Sequence, residues 1–202
     1  MTKIDFDPEH HVYTVNGKRL PSVTEICAPL TAADMAKLSP ALISAAANRG
    51  SLVHELTELI DYGTAPDDLE MYAALVPYIT AYQRFLRDYR PRWQRIEYRL
   101  ASEKDGFAGT LDRLGVIDDR PAIVDIKTTS AATRPTKVSW VAQLSGYRRL
   151  CGDAALDRYV LLLKPNGRYS FYNSLDIEKK YSFWGADLFA NLLSMHEILK
   201  GE

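Results

Sequence analysis

Residues 107–129, FAGTLDRLGVIDDRPAIVDIKTT, decide the fold. The run reads as two strands joined by a tight turn: Phe107 to Ile117, then Asp118-Asp119-Arg120-Pro121, then Ala122 to Thr129. Ile123, Val124 and Ile126 are the β-branched residues of a buried strand. Folding the run about Asp118-Asp119 sets Asp112 opposite Asp125, whereas a four-residue turn sets Asp112 opposite Lys127. Either register gathers two carboxylates and one ammonium in a small patch. Side chains alternate along a strand, so Asp125 and Lys127 share a face and Ile126 takes the other. Like charges facing across a hairpin destabilise it. Two aspartates placed there point to a cation between them.

The chain has 202 residues, enough for one good core and one domain. Its 47% hydrophobic content suits a water-soluble globular protein, and no apolar run reaches the length of a membrane span. The opening MTKIDFDPEHH is polar and acidic, unlike a signal peptide, so the cytoplasm is the expected location. Cys27 and Cys151 are too few for a disulfide framework or a thiolate-ligated cluster and read as buried free thiols. The formal net charge of -1 gives no overall signature of nucleic-acid binding. One stretch differs: Arg84, Arg87, Arg90, Arg92, Arg95 and Arg99 are interleaved with Phe85, Tyr89, Trp93 and Tyr98. By itself it reads as a solvated helix face running into a strand edge.

Outward from the hairpin, the elements alternate. Residues 11–20 form a small hairpin about Asn16-Gly17, and Ser22 with Glu25 makes a capping box for a short helix that Pro29 ends. Another short helix covers Thr31 to Leu38. A longer one runs from Pro40 to Tyr62 with Gly63 as its stop. In that helix Gly50, His54 and Glu58 stack on one face, and Gly50 is expected to admit another backbone closely. Asp67-Asp68 opens a helix to Tyr89, kinked at Pro77, and Arg92 to Ala101 alternates as a strand carrying Glu97. Beyond the hairpin come a loop to Thr136, a helix from Lys137 to Leu150, strands over Arg158 to Leu163 and Tyr169 to Asn173, and one closing helix from Asp176 to Leu199. This order gives a single α/β (mixed α+β) core: residues 1–39 a hairpin and short helices, 40–175 the core, 176–202 the closing helix. His10, His11 and His196 read as surface or capping residues, and Trp140 and Trp184 as core.

Two carboxylates, an imidazole and a backbone carbonyl suit a hard divalent cation such as Mg²⁺ or Mn²⁺. A lysine beside the ion can orient or deprotonate water and stabilise charge on a phosphoryl oxygen. Such a set can hydrolyse a phosphodiester.

With these parts in place the chain resembles the PD-(D/E)XK nuclease superfamily, near its RecB-like exonucleases and small phage-encoded nucleases. Gly50-x-x-x-His54 matches a helix motif, Gly109-Thr110-Leu111-Asp112 the second motif, Asp125-Ile126-Lys127 the D-x-K core, and Gln143-x-x-x-Tyr147 the helix motif after it. The match spans residues 50–147, and HVYTVNGKRLPSVTEI (11–26) resembles the opening of phage members. The resemblance implies a restriction-endonuclease-like core with a central mixed sheet flanked by helices. It implies metal ligation by His54, Asp112, Asp125 and the Ile126 carbonyl. Asp112, Asp125 and Lys127 would be catalytic, with Mg²⁺ as cofactor and Mn²⁺ able to replace it. Gln143 and Tyr147 would meet the DNA strand, and Glu58 and Glu97 fall near places where relatives carry a supporting acid. Two cysteines cannot supply the ligands of the iron-sulfur members, so no cluster is expected.

The activity implied is exonucleolytic hydrolysis of linear duplex or single-stranded DNA in phage or bacterial recombination, repair or DNA processing, with a recombination or annealing protein as a conceivable partner. The alternatives are an inactive nuclease-fold module that binds DNA or a protein, and a structure-selective endonuclease. Keeping Asp112, Asp125 and Lys127 together favours an enzyme, since a retired site has no reason to retain buried like charges. Basic residues flanking the motifs give a path for DNA: Arg49, Arg134, Lys137 and Arg148, with Arg113 the weakest member because alternation turns it away from Asp112. The arginine run over 84–99 is the rival path.

Overall fold

A computed structural model describes residues 3–64, 70–131 and 137–201. Three short strands come first, β1 (Ile4–Asp7), β2 (Val12–Val15) and β3 (Lys18–Leu20), paired antiparallel in that order. Helices α1 (Val23–Cys27), α2 (Pro29–Met35) and α3 (Pro40–Asp61) follow, then a 3-10 segment (Glu70–Leu75) leading into α4 (Val76–Tyr89). The main sheet uses β4 (Arg92–Ser102), β5 (Phe107–Ile117), β6 (Arg120–Thr128), β7 (Asp157–Leu163) and β8 (Tyr169–Asn173), in the order β4-β5-β6-β7-β8. Helix α5 (Val138–Cys151) carries the chain from β6 to β7, which pair in parallel; the other neighbours in this sheet are antiparallel. Helices α6 (Ser174–Tyr181) and α7 (Gly185–Lys200) close the chain. The mixed sheet flanked by helices is the expected fold class. Among the described residues no helix is long and apolar enough to cross a membrane.

Helices pack on both faces of the sheet. On one face Val23, Trp140, Leu144 and Phe189 of α1, α5 and α7 meet Phe107, Leu111, Ile123 and Leu162. On the other, Val53, Leu56, Tyr82 and Phe85 of α3 and α4 meet Ile117, Val124, Ile126 and Leu161. Local chemistry sets many boundaries. Asn16-Gly17 and Asp118-Asp119 all take positive φ, as two-residue hairpin turns demand. Ser39 caps α3 through Leu42 N, Pro40 fills its first position, and Gly63 stops it at φ 74°.

Several expectations are corrected. Ser22 Oγ caps the Glu25 N–H at 2.9 Å, but the Glu25 carboxylate turns to Arg19 rather than completing a box. Pro77 lies in the first turn of α4 and starts that helix instead of kinking it; Asp67-Asp68 and Arg134 lie outside the described residues. A Cβ on Gly50 would meet nothing within 4 Å among the described residues, so none of their backbone approaches it. Cys151 is only half-buried, and Trp184 is 68% exposed rather than core.

The closing helix is two helices. Ser182 ends α6 in a left-handed conformation at φ 54°. Gly185 then starts α7 where a Cβ would lie 2.5 Å from Ser145 Oγ and 2.6 Å from Glu178 Oε1. The Glu178 carboxylate binds the Gly185 N–H at 2.9 Å and the buried Arg158 guanidinium at 3.0 and 3.2 Å. A buried charge must be paired. Arg158 therefore holds Glu178, and with it the break, against the sheet.

Candidate metal centre

The hairpin adopts the two-residue-turn register, from Ile117 opposite Arg120 to Arg113 opposite Val124. One more step would set Asp112 beside Asp125, but backbone pairing ends there. Instead Asp112 Oδ2 accepts the Ile126 N–H at 2.6 Å, so a side chain takes the place of a strand partner where β6 leaves β5. Alternation along β5 breaks at the same residue. Leu111 packs on the α5 face, while Arg113, two positions on, reaches Asp61 and Thr57 of α3 on the other. In the neighbouring strand Glu97, whose Cα partner would be Asp112, has φ 45°. This region is costly for a side chain with a Cβ and collects at functional sites.

These irregularities gather the acids. One nitrogen or oxygen each from His54, Glu97 and Asp112 lie within 4.8 Å of one another. His54 Nδ1 is 3.3 Å from Glu97 Oε1 and 3.7 Å from Asp112 Oδ1, and its Nε2 is 3.1 Å from the Ile126 carbonyl oxygen. With an acceptor at each ring nitrogen, the doubly protonated imidazolium satisfies both. Burial opposes that charge, but Asp112 and Glu97 outweigh it and raise the pKa to about 9. Burial raises the Asp112 carboxyl to about 6, against the pull of His54 and with help from Asp125 and Glu97. Burial works against the Glu97 carboxylate too, yet His54 and Arg113 hold it below the usual range.

Lys127 Nζ is 2.9 Å from both oxygens of buried Asp125; it donates to Oδ1, while Oδ2 receives no hydrogen bond of good geometry. Burial disfavours the Lys127 ammonium, but Asp125 and Asp112 overcome this and raise its pKa. The group is therefore a fixed positive charge near neutral pH and a poor base.

One cavity of about 470 Å³ joins these groups, lined by His54, Glu97, Asp112, Asp125, Lys127 and Tyr147 together with Gly50, Glu55, Glu58, Arg99 and others. Among the described residues five carboxyl groups stand there against Lys127, Arg99 and two histidines, His54 and His11. The excess of hard oxygen donors, with a lone pair of Asp125 left over, fits a divalent cation. Tyr147 enters beneath Gly109, where a Cβ would lie 2.9 Å from its ring. Burial and the charges of Asp125 and Asp112 keep its hydroxyl protonated, far above the ordinary range.

The structure brings His54, Asp112, Asp125, Lys127, Tyr147 and Glu58 to one cavity, and puts Glu97, expected only as a supporting acid, in the closest trio. Asp125 lies in the cavity but outside that trio. Gln143 does not line the cavity, although its Oε1 is buried without a hydrogen bond. The Ile126 carbonyl faces His54. Arg49 is 3.4 Å from Thr128 Oγ1, Lys137 is 3.9 Å from Asp34, and Arg148 lines other hollows beside α5. Arg113 leaves the DNA path altogether: it is fully buried, bonded to Asp61 at 2.6 Å and Glu97 at 2.9 Å. Sequence reasoning missed its part, that of holding Glu97 in place, and missed His11 and Arg99 at the cavity. Arg99 lies 4.7 Å over the Phe6 ring, a contact no local pattern announces.

No family model and no curated protein matches the chain. Similar solved structures include SSO0001, at 16% identity and TM-score 0.34, over 48% of this chain and 47% of that one. An alkaline exonuclease from Laribacter hongkongensis is similar at 15% identity and TM-score 0.34, over 69% of this chain and 76% of that one. The chain thus spans about half the length of SSO0001. Superpositions this loose assign no activity.

Proposed function

We propose that this protein is a metal-dependent deoxyribonuclease of the PD-(D/E)XK type, acting as an exonuclease. The observation that carries the reading is the convergence of His54, Glu97, Asp112, Asp125 and Lys127 on one cavity, from elements as far apart in sequence as α3 and β6. Like-charged carboxylates buried together cost stability, and a hard cation offsets that cost.

His54, Glu97 and Asp112 would hold the ion, with Asp125 and the Ile126 carbonyl as the remaining candidate ligands. A bound Mg²⁺ or Mn²⁺ supplies a Lewis acid for a phosphoryl oxygen and lowers the pKa of a water. The protein's own groups do the rest. Asp125 orients Lys127 through its 2.9 Å bond, which aims the ammonium into the cavity. Its raised pKa suits it to stabilise negative charge building on the phosphoryl group rather than to accept a proton. Arg113 pins Glu97 from behind, so the ligand geometry is set before substrate arrives. The Tyr147 hydroxyl, kept neutral, can donate to a phosphate or sugar oxygen.

The test uses end-labelled linear DNA and closed-circular DNA with Mg²⁺, Mn²⁺ or EDTA. Loss of the linear DNA only, with either metal and not with EDTA, is the expected result. Nicking or linearising of the circle would replace the exonuclease by an endonuclease. No cleavage under any condition would refute the enzyme reading and leave a binding module.

A further inference from the structure

A second and larger cavity, of about 740 Å³, lies along the seam between α3 and the edge strand β4. The metal cavity takes Gly50, His54 and Glu58 from α3 and Glu97 and Arg99 from β4. The second takes Ile60 and Asp61 from α3, Tyr62 just past its end, and Trp93 to Ile96 from β4, with Leu86 of α4 and Arg90 and Pro91 after it completing the wall. From His54 to Tyr62 a helix advances about 12 Å, at 1.5 Å per residue. From Arg99 back to Arg95 a strand covers about 13 Å, at 3.3 Å per residue. The two cavities therefore lie end to end on the same pair of elements, about three or four phosphates apart at the 3.4 Å spacing of one B-form strand, and fewer in a stretched one.

The chemistry of the second cavity differs from that of the first. Among the described residues its one carboxylate, Asp61, is turned inward and taken by Arg113 at 2.6 Å, Tyr82 at 2.6 Å and the Trp93 indole at 3.2 Å. Two guanidinium groups remain at the rim. Arg90 has no hydrogen-bond or ion-pair partner for its side chain among the described residues, and Arg95 bonds only to the Gln94 carbonyl while lying 5.5 Å over the Tyr98 ring. Tyr62 is 62% exposed, and the half-buried Trp93 beside it is held by its bond to Asp61. Unpaired guanidinium groups beside open aromatic rings are the means by which proteins hold single-stranded nucleic acid without reading sequence: phosphates on the cations, bases on the rings.

We infer that this cavity is a subsite for single-stranded DNA, holding a segment a few nucleotides from the metal centre, with Tyr62 stacking on a base and Arg90 and Arg95 on phosphates. A paired base inside a duplex has both faces covered by its neighbours and cannot stack on Tyr62, so an occupant held along the cavity is unpaired. The link to the metal centre rests on the nuclease reading; the binding chemistry of the cavity does not.

The test is fluorescence anisotropy in EDTA with labelled oligothymidylates of four and twelve nucleotides, lengths within the usual range of single-strand sites. Wild type should bind the twelve-mer at least tenfold more tightly than the four-mer. Arg90→Ala with Arg95→Ala should weaken twelve-mer binding at least tenfold, Tyr62→Ala at least fivefold, and Tyr62→Phe should restore the wild-type value because it keeps the ring. Circular dichroism confirms that each variant is folded. If the variants bind the twelve-mer as wild type does, the subsite is wrong; if a blunt duplex shows the same dependence on Tyr62, the single-strand assignment is wrong. Cleavage of linear DNA in Mn²⁺, run alongside, separates the two claims. A protein that binds through Tyr62 and never cleaves overturns the nuclease reading alone, and one that cleaves normally with Tyr62 irrelevant overturns the subsite alone.

Discussion

Replacing Arg113 by methionine keeps most of the side-chain volume and removes a cation that is fully buried. Two carboxylates lose their partner: Asp61, 1% exposed, and Glu97, 25% exposed. Breaking one side of a buried ion pair costs about 3–5 kcal/mol, because an uncompensated charge stays behind. Asp61 keeps neutral donors in Tyr82 and Trp93, which favours the lower part of that range. With a urea m-value of about 2 kcal/mol per molar, a loss of about 3 kcal/mol lowers the unfolding midpoint by about 1.5 M. The deficit should depend on pH. Burial already raises the Asp61 carboxyl above its ordinary value in spite of Arg113. Without the guanidinium it rises further, so the folded variant binds a proton that the unfolded chain does not. Its stability then falls as pH climbs through the raised value, and the gap to wild type should be smaller at about pH 5 than at about pH 8. Asp61→Asn added to Arg113→Met should recover at least about 1 kcal/mol, as coupled neighbours do. A deficit below about 1 kcal/mol, flat with pH, would refute the view that Arg113 anchors these acids.

Lys127→Met should lower cleavage by about a hundredfold or more, near 2.7 kcal/mol of transition-state stabilisation, while DNA binding in Ca²⁺ stays within about twofold; single-turnover kinetics and anisotropy read the two effects. Binding of Mn²⁺ at about pH 7.5 should release about one proton, since His54, with its pKa near 9, must shed one to become a ligand. Calorimetry in buffers of different ionisation enthalpy measures it. Affinity should climb up to about pH 9 and then level off, with a further loss below about pH 6 where Asp112 protonates. Gly109→Ala puts a methyl 2.9 Å from the Tyr147 ring and 3.1 Å from Val23, so it should cost about 1–3 kcal/mol of stability and displace Tyr147. A variant as stable and as active as wild type would remove Tyr147 from the site. Anomalous scattering from Mn²⁺-soaked crystals should place the ion against His54, Glu97 and Asp112; density elsewhere would discard that trio.

What could be read from the sequence alone is governed by neighbours in the chain. The hairpin about Asp118-Asp119 follows from turn chemistry and strand period, because both act over a few residues, while the choice between its two possible registers is made by the fold, which takes the two-residue turn. The bounds of α3 follow from Ser39, Pro40 and Gly63 for the same reason. Asp112, Asp125 and Lys127 are legible as a cluster in the hairpin itself, and the roles of His54 and Tyr147 only through the family resemblance that their motifs carry. The tertiary structure decided what depends on distant partners. Glu97 joins the closest trio only because the backbone turns to φ 45° at that position and Arg113 of the neighbouring strand holds it. The break between α6 and α7 needs Arg158 and Ser145, brought in from β7 and α5. Gly50 borders a cavity rather than a backbone because, among the described residues, nothing packs over that face of α3. Burial is the common reason. Inside a folded protein a charge must find a partner wherever the fold puts one, and that demand, unlike a turn or a helix cap, is set by chain segments far apart in sequence.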